Sequence, residues 1–403
     1  MEQHPIRNES VIQEVRRALN RWLDAENTMW HQRSRNMWLT NGDRNTSFFH
    51  QKESNRKDRN SIRCICDEAG QWQEDAQTTE TIILNYFAAI FRSNGPTDSS
   101  LLVDAVQPMV TEEMNSFLTW PFTAEEVHKV LKHMHLKKSP SPDGMPPLFY
   151  QHFWSLTGDC VIKTVLDFLN LGIIPPKFNE THIVLVPKTK NPTKVTQYRP
   201  ISLCNVISRL MSKVITNRLK LFLPHIVSEN QSAFMSDRLI TDNIIVAFET
   251  MHYLNQKRSG KVGEMDLKLD MSKAFDRVEW GYLEKIMYKM GFNDKWVNLM
   301  MQCITSVTYS VRINGQPRGH ILPSRGLRQG DLISPFLFLF CAKGLSALLN
   351  QSMAAGQLRG VSACPLGPHI SHLFFADDSI IFCQATLEQC SHLEHLLTIY
   401  EHA

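Results

Sequence analysis

Residues 265–278 read MDLKLDMSKAFDRV, and the interpretation of the fold starts from this stretch. Its first six residues alternate strictly between apolar and polar side chains, which predicts a half-buried strand that ends at Asp270. Apolar residues then recur at helical spacing from Val278 until Gly291, a residue that commonly ends a helix. We therefore predict that the chain turns from strand to helix just past Asp270. Several backbone amides should lie close together at this turn.

A second apolar segment carries two adjacent acids. Residues 373–376 and 380–382 flank Asp377 and Asp378, which predicts a hairpin with both carboxylates at its tip. Such a pair is costly to place between apolar arms unless a cation neutralises it, although acids are also common turn formers. The segment GLRQGD, residues 326–331, lies between this hairpin and the predicted strand. Two metal ions need oxygen ligands from separate strands, so the combination favours the palm of a polymerase.

Composition limits the classes of protein that the chain can belong to. Its 403 residues are 43% hydrophobic and 21% charged, with a net charge of only +3, which argues against a polycation covered by nucleic acid along its length. The longest apolar run, residues 332–342, is too short to cross a bilayer core of roughly 30 Å, and no secretory signal is recognised. Nine cysteines without a C-x-x-C pair argue against a disulfide framework and a zinc knuckle.

A basic segment lies near the start of the chain. Residues 31–63 hold eight Lys or Arg and three acids, a local net charge of +5. Aromatic residues interleave these cations, which suits stacking on bases beside phosphates, although a solvated helix face with its aromatics in a core explains the pattern equally well. Turn-forming residues at 93–100 predict a linker and a domain boundary near residues 95–120.

Three local patterns complete the secondary-structure prediction. Thr123 and Glu126 form a capping box at the start of a helix, and residues 182–187 form a short β-branched strand with Lys188 at its end. Asn314-Gly315 between two extended stretches predicts a hairpin. Helices alternate with strands, so we expect the α+β class.

The motifs resemble those of reverse transcriptases. Residues 268–278, 328–335 and 375–378 resemble the three palm motifs, and residues 141–144, 198–203 and 231–234 resemble the fingers motifs of the non-LTR, or LINE-type, retrotransposon branch. The basic segment is similar to the leader of plant members. The resemblance implies a right-hand polymerase with fingers and an incomplete palm, no thumb, and a mainly helical N-terminal extension. It divides the chain into a basic extension at 1–115, which is a candidate RNA-binding leader, fingers at 116–265 and palm at 266–403.

The resemblance also implies the roles of individual residues. Asp270, Asp377 and Asp378 would be the catalytic carboxylates and the ligands of two Mg²⁺ ions, with Mn²⁺ as a substitute. Asp377 should be a stronger ligand than Asp378, because neighbours on a strand point to opposite faces. The nucleotide contacts would be Lys188 and Arg199 at the triphosphate, Phe275 as a steric gate beneath the sugar, and Gln329 and Gly330 beside the nucleotide and template. The nucleic-acid contacts would be Phe375 near the primer end and Arg33, Arg35, Arg56, Lys57 and Arg59 in the leader.

The implied function is RNA-directed DNA synthesis by a LINE-type element, with an RNA template, a DNA primer or nicked target DNA, and dNTPs in the nucleus. Thumb and endonuclease regions of the parent element are expected to be missing from a truncated chain. The alternatives are a non-catalytic nucleic-acid-binding remnant and, less well matched, a two-metal nuclease. The chain has Ser141 where the family usually has glycine, Leu332 where it has proline, and Ser236-Asp237 where it has Pro-Gly.

Overall fold

The computed structural model describes residues 6–34, 46–95, 98–136, 142–175, 177–235, 238–258, 262–364 and 367–403. The helices in these ranges are α1 (Ile6–Ser34), α2 (Thr46–Asn60), α3 (Ala76–Ile90), α4 (Ser100–Ala105), α5 (Glu112–Thr119), α6 (Ala124–Lys132), α7 (Pro147–His152), α8 (Trp154–Leu171), α9 (Val206–Leu219), α10 (Leu223–Ile226), α11 (Ile240–Gln256), α12 (Trp280–Met290), α13 (Asp294–Thr305), α14 (Ser334–Ala354) and α15 (Leu387–Glu401). The strands are β1 (Ile65–Cys66), β2 (Trp72–Gln73), β3 (Glu180–Pro187), β4 (Tyr198–Cys204), β5 (Glu264–Asp270), β6 (Thr308–Ile313), β7 (Gln316–Ile321), β8 (His372–Phe375) and β9 (Asp378–Gln384). The expected α+β class is confirmed.

A four-stranded sheet has the order β4-β3-β6-β7. Strand β3 contains the strand predicted at residues 182–187; it runs antiparallel to β4 and parallel to β6. The hairpin predicted at Asn314-Gly315 joins β6 to β7. Both turn residues have positive φ, 48° and 91°, which matches the twist of the flanking strands.

A three-stranded antiparallel sheet, ordered β5-β9-β8, carries the acidic residues. Strand β5 ends at Asp270 as predicted, and its apolar side chains are half-buried while Asp266, Lys268 and Asp270 are exposed. Strands β8 and β9 form the predicted hairpin with the acids at its tip. Because Asp270 pairs with Asp378 across β5 and β9, the strand end and the hairpin tip meet at one edge of the sheet.

Helix α12 follows β5 through a loop and a short 3₁₀ turn, Phe275–Arg277. The predicted helix is confirmed, and it ends at Gly291, whose φ of 96° is readily adopted by glycine. The capping box at the start of α6 is also confirmed, since Thr123 accepts a hydrogen bond from the Glu126 amide and the Glu126 carboxylate accepts one from the Thr123 amide.

Two clusters of buried apolar residues stabilise the described part of the chain. The larger cluster unites α4 to α6 and α8 with α12 to α15 and the three-stranded sheet. The smaller cluster joins residues 62–91 to the four-stranded sheet. Packing therefore crosses the expected boundaries at residues 115 and 265, and the division into extension, fingers and palm stays a prediction.

Helix α14 is longer than the apolar run at residues 332–342. The apolar run at residues 332–342 covers only the first part of this 21-residue helix, because Lys343 and Gly344 interrupt the apolar pattern without ending the helix. By length and composition α14 could cross a membrane, and it is the one helix of the described ranges that could. Most of its apolar side chains are buried inside the protein, where they contribute to the larger core cluster.

Candidate active site

A cleft of about 940 Å³ lies at the edge of the three-stranded sheet where β5 ends. It brings together residues from α3, both larger sheets, the loop after β5 and the loop before α14. The lining residues are Tyr86, Ala89, Ile90, Lys188, Thr196, Arg199, Pro200, Phe234, Asp270, Met271, Ser272, Lys273, Ala274, Phe275, Arg277, Arg325, Gln329, Gly330, Pro335 and Asp377. All the predicted catalytic and nucleotide-binding residues except Asp378 therefore surround one cavity.

The three predicted catalytic acids are placed differently. Asp270 and Asp377 line the cleft, whereas the Asp378 carboxylate lies 3.6 Å from the Lys268 ammonium, with both side chains exposed. Within the described ranges no three His, Cys, Asp or Glu side chains come close enough to share an ion. The structure therefore does not bring the three expected carboxylates into one cluster, and their joint role as metal ligands stays a prediction.

The turn that carries Asp377 is held from outside the hairpin. Ala376, the residue before it, has φ of 55°, a backbone conformation that costs most residues energy. The Gln231 side-chain carbonyl accepts hydrogen bonds from the amides of Ala376 and Ala233, at 3.1 and 3.0 Å. Asn243 donates to the carbonyl of Phe374 at 2.9 Å. Gln231 lies in the segment 231–234, which resembles a fingers motif. Its role as a support for the turn depends on contacts between residues that are distant in sequence.

The loop that carries Gln329 and Gly330 is anchored by a buried ion pair. Arg328 and Asp331 are each 3% exposed and form a salt bridge. Arg328 also donates to the carbonyl of Cys303 at 3.1 Å. Burial, the largest single influence, opposes its charge, but Asp331 together with Cys204, Tyr309 and Cys303 outweighs burial and raises the pKa of Arg328. With this anchor in place, the Gln329 carbonyl accepts a bond from the Ser202 amide at 2.8 Å, and Gly330 adopts φ of 100° at the wall of the cleft.

Cations outnumber acids in the cleft lining. The predicted Lys188 and Arg199 are joined by three cations for which sequence reasoning gave no role, namely Lys273, Arg277 and Arg325. The lining acids are Asp270 and Asp377. Burial, followed by the nearby charges of Lys273 and Arg199, lowers the pKa of Lys188. An excess of positive charge inside a concave site attracts anions, so the cleft suits a polyanionic ligand.

Phe275 lines the cleft and also packs against the core. Its half-buried ring is stacked on Phe338 with centroids 4.9 Å apart and an interplanar angle of 15°. Its carbonyl accepts a hydrogen bond from the Leu327 amide at 2.7 Å. Phe275 is therefore a packing residue as well as part of the cleft wall, and this position is compatible with the predicted steric gate.

Other predicted contacts lie outside the cleft. Phe375 is half-buried and pairs with Asp378, but it does not line the cavity. In the leader, Arg56 is half-buried on α2, Lys57 and Arg59 are exposed there, and Arg33 lies at the end of α1. Arg35, Ser141 and Ser236-Asp237 lie outside the described residues. Leu332 is half-buried and lines a separate cavity of about 410 Å³.

Residues 186–403 match the family model described as reverse transcriptase (RNA-dependent DNA polymerase). The chain belongs to the reverse transcriptase family. The matched range includes every predicted catalytic and nucleotide-binding residue of the cleft. Divalent metal ions are general cofactors of this family, which agrees with the carboxylates at the edge of the three-stranded sheet.

The relatives that match most of the chain come from mobile elements. The chain is 27% identical over 354 residues to the transposon TX1 uncharacterized 149 kDa protein of Xenopus laevis. The aligned region covers 87% of the chain and 26% of the relative. It is 22% identical over 331 residues to the Pol polyprotein of the retrotransposable element R2DM of Drosophila melanogaster. This aligned region covers 82% of the chain and 29% of the relative. The chain thus spans about a quarter to a third of the length of these proteins. The predicted resemblance to LINE-type, non-LTR reverse transcriptases is confirmed.

A shorter match comes from a plant. An uncharacterised mitochondrial protein of Arabidopsis thaliana is 49% identical over 67 residues, or 17% of the chain and 55% of the relative. Because so little of the chain is covered, the plant-like character stays a prediction.

The acids of the cleft fit the hard divalent ion expected for a reverse transcriptase. Mg²⁺ is usually held by one or two carboxylates together with substrate phosphates and water. Asp270 at the end of β5 and Asp377 in the turn between β8 and β9 would supply the carboxylates of that donor set.

Proposed function

We propose that this chain carries the RNA-directed DNA polymerase activity of a LINE-type retrotransposon. The observation that supports this most strongly is the cleft that Asp270 and Asp377 line together with five cations and the aromatic ring of Phe275. The acids suit metal ions, the cations suit a triphosphate and the aromatic ring suits a sugar. A plain nucleic-acid-binding surface has no use for a cavity of this composition.

In the proposed reaction the primer 3′-hydroxyl attacks the α-phosphate of a dNTP, and pyrophosphate leaves. Asp270, Asp377 and secondarily Asp378 would hold two Mg²⁺ ions, or Mn²⁺ in their place. When bound, such ions stabilise the attacking and leaving oxygens of the displacement. Lys188 and Arg199 neutralise the triphosphate and then the departing pyrophosphate, since phosphoryl-type transfer depends chiefly on positioning and charge stabilisation.

The remaining lining residues orient the nucleotide. Phe275 lies against the sugar, where a 2′-hydroxyl would collide with the ring, and Gln329 and Gly330 form the adjoining wall. Gly330 adopts φ of 100°, a backbone conformation that residues with a side chain rarely adopt, so the backbone itself forms this part of the wall. The buried Arg328–Asp331 pair anchors the loop that forms this wall.

The proposed partners follow from this reaction. They are an RNA template, a DNA primer or nicked target DNA, and dNTPs, with the leader cations Arg56, Lys57 and Arg59 holding nucleic acid outside the cleft and Phe375 near the primer end. A right-hand arrangement of fingers and palm and a nuclear location belong to the same proposal. We also expect the thumb and endonuclease regions of the parent element to be partners of this chain.

Primer extension tests the proposal. The purified chain is incubated with a DNA primer annealed to a homopolymer RNA template, the complementary dNTP and either Mg²⁺ or EDTA. We expect the primer to lengthen only with Mg²⁺ and only with the complementary nucleotide. Binding of the primed template without extension in Mg²⁺ or Mn²⁺ would contradict the proposal and favour a non-catalytic remnant.

A further inference from the structure

Lys273 has an unusual backbone for its residue type. It lies in the loop between β5 and α12 with φ of 60°, in the left-handed region where a side chain is strained. Its carbonyl accepts hydrogen bonds from the amides of Asp276 and Arg277, at 3.0 and 3.1 Å, so the conformation starts the 3₁₀ turn. Glycine would meet this geometric requirement without strain. The lysine side chain therefore has to be explained by what it contacts.

The Lys273 side chain is a cation without an oxygen partner. The residue lines the cleft, but its ammonium is buried and has no hydrogen-bond partner within the described ranges. It lies 5.7 Å from the centre of the Tyr86 ring, within the range of a cation–π interaction. Burial, opposed by the charge of Asp276, lowers the pKa of Lys273. A buried ammonium with unused donors gains strongly from an anionic acceptor.

Tyr86 comes from a part of the chain far from the catalytic motifs. It belongs to α3, and Tyr86, Ala89 and Ile90 form one wall of the cleft. The adjoining face of α3 is fixed by Ile83 and Phe87, which are buried in the smaller core cluster. The N-terminal segment therefore builds part of the cavity in addition to carrying the basic leader.

We propose that Lys273 is a polyphosphate-binding residue of the cleft and that Tyr86 holds its ammonium in the absence of nucleotide. This inference rests on the proposed function and adds a third cation to Lys188 and Arg199. The flexible stem of lysine lets the ammonium move from the ring to a phosphate oxygen, and this movement breaks no hydrogen bond. The bound anion then satisfies donors that are unused in the free protein.

Nucleotide binding without template or primer tests this role. Titration calorimetry with dATP and with dAMP, both in Mg²⁺, is carried out on the parent chain and on Lys273→Gln. We expect the variant to bind dATP roughly tenfold more weakly, as for loss of a charge-assisted hydrogen bond, with dAMP affinity little changed. Lys273→Arg should restore most of the dATP affinity. Lys190→Gln, an exposed lysine outside the cleft lining, is the matched control and should behave as the parent.

A second variant separates binding from folding. Lys273→Gly removes the cation but relieves the left-handed backbone, so it should match or exceed the parent's melting temperature while losing dATP affinity as Lys273→Gln does. Unchanged dATP affinity in both variants, or equal losses for dATP and dAMP, would overturn the inference. A chain that binds dATP through Lys273 yet extends no primer would support this inference and overturn the proposed function.

A double-mutant cycle tests the part played by Tyr86. Tyr86→Leu should change the dATP affinity of the parent chain but should have little further effect in Lys273→Gln, because both substitutions act on one interaction. Additive effects of the two substitutions would overturn the proposed coupling between the ring and the ammonium.

Discussion

At the scale of single residues, Asp276 combines burial with an unsatisfied carboxylate oxygen. It is 1% exposed, and one of its oxygens has no hydrogen-bond partner within the described ranges. Burial raises the pKa of Asp276 to about 6, although the charges of Lys273 and Lys188 act in the opposite direction. A raised carboxyl pKa means that the folded state binds the proton more tightly than the unfolded state. The free energy of unfolding therefore falls as pH rises from about 4 to about 6.

Asp276→Asn should remove this pH-dependent fall in the free energy of unfolding. We expect the variant to be more stable than the parent at pH 8, by an amount on the order of 2 kcal/mol, and to differ little from it at pH 4.5. Urea unfolding of both chains at the two pH values measures the difference. Equal destabilisation at both pH values would show instead that Asp276 is ionised and paired in the folded protein.

Phe275 is the second residue whose chemistry can be tested alone. Phe275→Val opens the space proposed for a 2′-hydroxyl and also removes the ring that stacks on Phe338. We expect the ratio of rNTP to dNTP incorporation to rise, with a stability cost of about 1–3 kcal/mol because the ring is half-buried. Primer extension with each nucleotide, beside a thermal melt, measures both effects.

The ratio is informative because loss of folded protein lowers both activities together. A lower melting temperature with an unchanged ratio would leave Phe275 as a packing residue only.

At the scale of secondary-structure elements, α9 is tied to α6 by a buried arginine. Arg218 is 6% exposed, forms a 2.8 Å salt bridge with Glu126 and stacks on the Phe122 ring at 3.6 Å. It also donates to the carbonyls of Leu118 and Pro121, at 3.2 and 3.0 Å. One side chain thus satisfies acceptors at both the end of α5 and the start of α6.

Arg218→Met should cost about 3 kcal/mol or more of unfolding free energy, because it leaves a partly buried carboxylate and several carbonyls without a donor. Adding Glu126→Gln should recover part of the loss. Lys163→Met, which breaks an exposed pair with Asp167 on α8, is the control and should cost less than about 1 kcal/mol. Urea denaturation gives all three values; similar losses for Arg218→Met and Lys163→Met would contradict this account.

The elements also show how far local sequence patterns reach. Strand β5, the turn into α12 and the β8–β9 hairpin were predictable because alternation, helical spacing and turn residues are properties of neighbouring positions. The full length of α14 could not be predicted from the apolar run at residues 332–342, because buried Gly344 and half-buried Lys343 interrupt that run without ending the helix. The support of the Asp377 turn by Gln231 joins residues that are 145 positions apart, which no local pattern records.

The candidate site likewise contains residues that the sequence predicted and residues that only the folded structure brings into it. Motifs with a strong family resemblance placed Asp270, Asp377, Lys188 and the Gln329-Gly330 loop in one cavity. The contributions of Tyr86 and Arg325 depend on how α3 packs against the four-stranded sheet, so they became visible only in the folded protein. The pairing of Asp378 with Lys268 is likewise a matter of side-chain placement rather than of sequence.

At the scale of the whole molecule, the N-terminal part is integrated into the fold. Ile65, Ile83, Phe87 and Phe91 are buried in the smaller core cluster with the four-stranded sheet. Deleting residues 1–95 would therefore remove core as well as charge, and it cannot isolate the contribution of the basic leader. Exposed cations on α2 provide a cleaner test of RNA binding.

Replacing Lys57 and Arg59 by Gln together should weaken RNA binding at low salt. If both bind phosphates, the slope of log affinity against log salt should fall in magnitude by about 0.7–0.9 for each phosphate that the variant no longer neutralises. Lys295→Gln, an exposed lysine on α13, serves as the control. Identical slopes for the parent and the double variant, measured by fluorescence anisotropy of a labelled RNA, would show that this helix face is only solvated.

The central claim is that Asp270 and Asp377 form the catalytic centre of a polymerase, and one measurement tests it most directly. Primer extension on an RNA template in Mg²⁺ is compared for the parent, Asp270→Asn, Asp377→Asn and Asp266→Asn, an exposed acid of the same strand outside the cleft lining. We expect both cleft variants to lose extension with unchanged melting temperatures, Asp378→Asn to lose less, and Asp266→Asn to match the parent. Extension at the parent's rate by both cleft variants would contradict the claim.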